Sequence, residues 1–164
     1  MKSRKISDRY KNMDAKKFFQ VLGTATRLDL NDRAESEGCV IHFGDSLEVI
    51  FEYIEEKNKI YLFSQVLKLN STTESARIRL FSALLQLHLL GIATEDAYFG
   101  FDPDLDRIIL FRTLSLEHLN SERSVQAVEA FVNQLERWQT ELLNVHAQPD
   151  VAAENSQTFS MQRI

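Results

Sequence analysis

The chain has 164 residues, 44% of them hydrophobic, with 11 Phe and a formal charge of −5, which supplies apolar material for one real core and disfavours nonspecific binding to nucleic acid. No stretch approaches the roughly 18 consecutive apolar residues of a membrane-spanning helix, so membrane insertion is excluded on pattern. Cys39 is the only cysteine, which rules out an intrachain disulfide and a multi-thiolate metal site and leaves two readings, a small hydrophobe on a strand or a reactive thiol.

Charge is unevenly distributed. Residues 1–17 carry seven Lys or Arg against two Asp, ahead of an acidic body. Residues 1–13 read as a basic flexible leader; they lack the uninterrupted apolar segment of a secretory signal. Met13, Asp14 and Phe18 have the spacing of a hydrophobic staple around an Asp N-cap, and Phe18, Val21, Leu22, Ala25 and Leu28 recur at helical intervals. A first helix is expected from about Ala15 to Leu28. Phe18 and Phe19 point about 100° apart, so a single flat surface cannot take both. Either they form a docking face, or Phe19 packs on the loop from Leu30 to Glu37.

Three strands should follow: residues 38–43, 46–54 and 59–66, separated by Gly44-Asp45 and by the EEKN sequence at 55–58. Such short connections demand antiparallel neighbours. Residues 71–91, STTESARIRLFSALLQLHLLG, carry the spacing of a capping box at Ser71 and Glu74 and end on Gly91, a residue suited to a left-handed helix stop. Around this helix Ala76, Leu80, Ala83, Leu84, Leu87 and Leu90 make one apolar arc, and Ile78, Phe81, Leu85 and Leu89 a second. The helix is expected to cover the sheet with one arc and to meet another helix or a second copy of the chain with the other.

Residues 95–101 and 107–113 form a further hairpin around DPDLD, with Pro103 in the loop. Apolar residues on both faces of 108–113 suit a central strand or a strand pressed between chains. Val125, Val128, Phe131, Val132, Leu135, Trp138 and Leu142 then mark a last amphipathic helix, started by Asn120 or Ser121, with Trp138 as its anchor on the sheet. Residues 147–164 lack period and capping and read as a tail. The whole is a single α+β domain over residues 14–146: helix, three-stranded antiparallel meander, helix, β-hairpin, helix.

Signatures of chemistry are sparse. The chain has no glycine-rich phosphate loop, no GxSxG and no HExxH, and its four histidines lack ligand spacing. Asp102, Asp104 and Asp106 reproduce the opening of a calcium loop, yet Arg107 occupies the position of the turn glycine and Thr113 that of the closing Glu. No enzyme, metal site or cofactor is expected. What is left is apolar surface in excess of one small core, which points to recognition of another polypeptide. Other readings of the same surfaces are a non-chaperone adaptor or regulatory domain and a small-molecule binder. A nucleic-acid role would rest on the basic leader alone.

The order of elements resembles the CesT/Tir-chaperone family, the class I chaperones of type III secretion. The likeness spans about residues 14–143 and is carried by the helix and meander, by IRLFSALLQLHLLG at 78–91, by YFGFDPDLDRIILFRTLSL at 98–116 and by VEAFVNQLERWQTEL at 128–142. The resemblance implies a homodimer in the bacterial cytoplasm, a virulence-associated chaperone that holds the N-terminal chaperone-binding segment of a secreted effector soluble and export-competent. By position it implies Phe18, Phe19, Leu22, Val40, Ile41 and Phe43 as effector-binding candidates. Leu84, Leu87, Ile109 and Phe111 become dimer-interface candidates. The leader and the tail exceed the minimal family pattern and leave room for a contact with export machinery.

Overall fold

A computed structural model describes residues 13–30, 33, 38–70, 72–91 and 93–146, so the expectations for the leader and the tail lie outside the described residues. Met13 is 2% exposed and belongs to the core, which places the domain's first anchor one residue inside the expected leader. Helix α1 (Ala15–Thr26) starts as expected: Asp14 Oδ1 accepts from the Lys17 amide at 2.7 Å. It stops two residues early because Arg27 turns left-handed, at φ 59°, while the Leu28 amide returns to the Gly23 carbonyl at 3.0 Å. A Cβ at position 23 would meet the Leu28 carbonyl at 2.7 Å, so that return requires glycine.

The strands are β1 (Gly38–Phe43), β2 (Leu47–Ile54), β3 (Lys59–Lys68), β4 (Tyr98–Asp102) and β5 (Arg107–Ser115), all paired antiparallel in the order β1-β2-β3-β5-β4. Of the two readings of 108–113, the central strand holds: β5 pairs with β3 on one side and β4 on the other. An extra residue at Val66 shifts the register between Gln65 and Leu67, which lets β3 run on to Lys68.

Alternation divides the sheet into two unlike faces. Cys39, Ile41, Val49, Phe51, Ile60, Leu62, Leu110 and Leu114 point one way and are buried. Helix α3 (Ser121–His146), at about 1.5 Å per residue roughly 39 Å long, crosses that face and buries Val128, Phe131, Leu135, Trp138 and Leu142 against it. Its start is Asn120, whose Oδ1 accepts from the Arg123 amide at 2.8 Å. Trp138 meets Phe99 edge-on at 5.3 Å and donates its indole N–H to Gln134 Oε1 at 2.9 Å; Gln139 reaches the Gln65 carbonyl at 2.9 Å. The anchor expected of Trp138 is therefore real, and its one polar atom is satisfied. Helix α1 packs beside α3 on the same face.

This arrangement corrects the role given to the helix at 71–91. The sheet is covered by α1 and α3, and the central helix α2 (Glu74–Leu87) buries only Leu80 and Leu84. Its cap is Thr73, whose Oγ1 accepts from the Ala76 amide at 3.4 Å; Ser71 lies outside the described residues. A short 3-10 turn follows, and Leu90, at φ 62°, takes the left-handed conformation expected of Gly91.

Phe18 and Phe19 both point inward. They meet edge-on at 5.4 Å and each contacts Phe51, at 6.4 and 6.0 Å. Because both rings sit in the core, Phe19→Ala should destabilise the domain by about 3–5 kcal/mol, the cost of emptying a buried aromatic site. Urea denaturation checks this; a loss under about 1 kcal/mol would show that Phe19 is not a core residue.

Candidate functional site

Two apolar surfaces are left uncovered among the described residues. The first is on α2. The arc of Leu80 and Leu84 faces the domain, whereas Ile78, Leu85 and Leu89 are 60%, 63% and 67% exposed. Phe81 sits on the boundary, its ring 5.2 Å from that of the partly exposed Phe101. Between α2 and the β4 edge lies a groove of about 300 Å³ lined by Phe81, Leu84, Leu85, His88, Phe99 and Phe101. His88 stacks on Phe99 at 6.3 Å, and its Nδ1 is buried there with no hydrogen-bond partner.

The second surface is the face of the sheet turned away from α1 and α3. The pairings Val40–Ile50, Ile50–Phe63, Phe63–Phe111 and Phe111–Tyr98 line up in one row across all five strands. Four inter-strand steps make this row about 19 Å long. Val40 and Tyr98 at its ends are exposed, and Ile50, Phe63 and Phe111 between them are half-buried. Tyr98 and Phe111 stand with ring centres 5.9 Å apart, and Ile109 and Tyr61 flank the row. Charged neighbours on the β1–β2 side are Glu48 and Glu52, both exposed.

The residues proposed from sequence distribute unevenly over these surfaces. Phe18, Phe19, Leu22 and Ile41 are at most 2% exposed, so their apolar area is spent inside a single chain and none is presented to a peptide. Val40 lies on the open face; Phe43 is half-buried on the opposite, helix-covered side of β1. Leu84 turns inward but lines the groove, Leu87 is half-buried, and Ile109 and Phe111 belong to the open sheet face. The sequence reading passed over Ile50, Phe63 and Tyr98. Antiparallel register is the signal that finds them, since only pairing shows that they share one row with Val40.

Polar chemistry at the β4–β5 turn is spent on structure. Asp102 Oδ1 accepts from the Asp104 and Leu105 amides at 3.2 and 3.3 Å, and its Oδ2 from Arg107 Nε at 2.9 Å. Asp106 takes both terminal nitrogens of Arg77, at 2.6 and 2.7 Å. The arginine that breaks the calcium-loop pattern is thus the partner of its first aspartate. Hydrogen bonding to these arginines holds both carboxyls below the ordinary aspartate range. The Cys39 thiol is buried, and desolvation pushes its pKa up despite nearby Arg33, which suits packing and not reactivity. No group of three potential metal ligands occurs among the described residues, and none of their helices is long and apolar enough to cross a membrane.

The described residues form a small α+β domain with two open apolar surfaces. A profile of the Tir chaperone protein (CesT) family matches residues 15–139, and the chain belongs to that family, one of chaperones and not enzymes. The fold is shared with a chain of the ExsC-ExsE complex (18% identity, TM-score 0.62, 78% of this chain and 96% of the other). It is shared also with a chain of the heterodimeric ExoU-SpcU complex from the type III secretion system of Pseudomonas aeruginosa (12%, 0.58, 79% and 97%). A third likeness is to the Yersinia pestis type III secretion chaperone SycH in complex with a fragment of YscM2 (14%, 0.55, 76% and 98%). At these identities the likeness is one of fold. No curated protein sequence matches the chain.

The turn carboxylates give a pH dependence with a definite sign. Their folded pKa values lie below the unfolded ones, so the stability they contribute is complete above the ordinary value of about 3.9 and is lost as pH falls through the lower folded values. In Asp102→Asn/Asp106→Asn the loss of stability on going from about pH 4 to about pH 2 should therefore be shallower than in the wild type. Urea unfolding at each pH checks it, and parallel profiles would contradict it.

Proposed function

We propose that the protein is a homodimeric type III secretion chaperone of the bacterial cytoplasm, which holds the N-terminal chaperone-binding segment of a secreted effector in an unfolded, export-competent form. One observation carries this reading: a single chain exposes two distinct apolar surfaces, one on a helix and one on a sheet, and a family of chaperones supplies a use for both. Contiguous apolar area of this kind on a small soluble domain marks interaction sites. The solved complexes with the same fold, among them HopA1-SchA, a chaperone-effector complex, support it further.

The outward arc of α2, with Ile78, Leu85 and Leu89, is the self-association surface. A two-fold axis lets one helical stripe serve both partners, so a single arc closes the assembly without leaving a free end. Phe101 and the groove beside it receive the mate's side chains, and the buried Nδ1 of His88 finds its hydrogen bond there. The open sheet face is the effector surface, with Val40, Ile50, Phe63, Ile109 and Phe111 at its centre. Binding needs no nucleotide and no covalent step: apolar contact supplies about 25 cal/mol per Å² buried, and the effector's loss of chain entropy opposes it.

The two surfaces can be separated by mutation. Leu85→Asp should convert a dimer of twice 19.0 kDa to a monomer in sedimentation, raising the dissociation constant at least about a hundredfold, with the circular dichroism unchanged. Phe63→Asp should leave the dimer intact and abolish binding of the effector's N-terminal segment in a pull-down. A wild-type chain that stays monomeric at high concentration and binds no secreted polypeptide would overturn the proposal. Recognition of an already folded partner domain in place of an unfolded segment would instead point to an adaptor.

A further inference from the structure

Helix α2 is weakly seated on its own domain. Buried Leu80 and Leu84, the half-buried Phe81 and Leu87, and the Phe81–Phe101 contact are its apolar attachments, and the groove beneath it leaves part of its inner side unfilled. Apolar adhesion of this extent does little to fix the rotation of a helix about its axis.

Its N-terminal half is tied down by polar contacts instead. Arg77 Nη1 and Nη2 donate to Asp106 Oδ1 and Oδ2 at 2.6 and 2.7 Å. Nη2 also donates to the Leu69 carbonyl at 3.1 Å, and Nε to the Thr72 carbonyl at 3.3 Å. One guanidinium thereby joins the helix to the β4–β5 turn and to the chain leaving β3. Asp106 is itself fixed from its backbone side: its φ is 47°, and its carbonyl accepts the Leu69 amide at 2.9 Å. Arg107 closes the turn through Asp102, which leaves the Asp106 carboxylate to Arg77.

We infer that Arg77 is the positioning residue of the α2 arc: closed on Asp106, it sets the helix rotation that presents Ile78, Leu85 and Leu89 to a second copy of the chain. This rests on the homodimer reading above. Neighbouring side chains on a helix diverge by about 100°, so a residue that locks position 77 against the turn also dictates where position 78, and position 85 two turns later, must face. Lysine cannot replace it, because a single ammonium cannot span both carboxylate oxygens and two carbonyls. The pair is about a third exposed, with side-chain exposures of 28% and 34%. Solvent screening therefore keeps its direct contribution to the fold of one chain modest.

The test uses the full chain with Arg77→Ala, Arg77→Lys, Asp106→Arg and the exchanged pair Arg77→Asp/Asp106→Arg. Sedimentation gives the dimer dissociation constant. Spin labels at Gln86 and Glu48, both exposed and neither on the outward arc, give the position of α2 relative to the sheet in a Cys39→Ser background. Arg77→Ala is expected to weaken the dimer about five- to tenfold and to broaden a narrow label distance, with little change in thermal midpoint. Arg77→Lys should recover only part of this, and the exchanged pair should bind better than Asp106→Arg alone. Equal dimer affinity and an equally narrow distance in wild type and Arg77→Ala would overturn the inference. A monomeric wild type would overturn the dimer reading instead, and the label distances then decide the positioning of α2: broadening in Arg77→Ala upholds it, and no change refutes it.

Discussion

The packing of α3 across one face of the sheet is the contact on which the rest of this structure depends. Its stripe of Val128, Phe131, Leu135, Trp138 and Leu142 runs the length of the sheet, and α1 fills the space beside it with Phe18, Phe19 and Leu22. Once those two helices occupy that face, α2 is left with a place at the β4 edge. A five-stranded sheet about 19 Å across has room for two helices side by side at the usual 8–10 Å spacing, so the third is displaced for geometric reasons. Its outward arc and the far side of the sheet are left outside the core.

That displacement connects fold to function. A core helix would be apolar all round and silent; α2 instead has one arc inside and one outside, at the cost of a weak seat on its own domain. The loss is offset by polar fastening through Arg77 and Asp106, which fixes orientation without filling the groove that an associating chain would use. The sheet follows similar logic. Its open face keeps Ile50, Phe63 and Phe111 half-buried among their neighbours, which limits the penalty of exposure while leaving an apolar row on the surface.

Much of the fold was legible in the sequence because its signals are local. Asp14 caps α1, the short turns force the meander, Pro103 breaks the hairpin, and the period from Val125 to Leu142 marks α3. The expectations that failed depended on competition between elements. Periodicity shows that a helix has two apolar arcs but not whether another helix has already taken the sheet, so α2 was wrongly given the covering role that α1 and α3 hold. Phe18 and Phe19 diverge around α1, as their adjacency requires, yet Phe51 stands between the two directions and accepts both rings. The open row was illegible for a different reason: Val40, Ile50, Phe63, Phe111 and Tyr98 come from five strands, and only their register brings them together.

The proposed division of labour between the two surfaces is tested most directly by methyl NMR of the free protein titrated with the N-terminal segment of a secreted client. Shifts confined to Val40, Ile50 and Ile109, with Ile78, Leu85 and Leu89 unmoved, are the expected result. Shifts on α2 with the sheet methyls unchanged would contradict it and would place the client on the surface assigned here to the second chain.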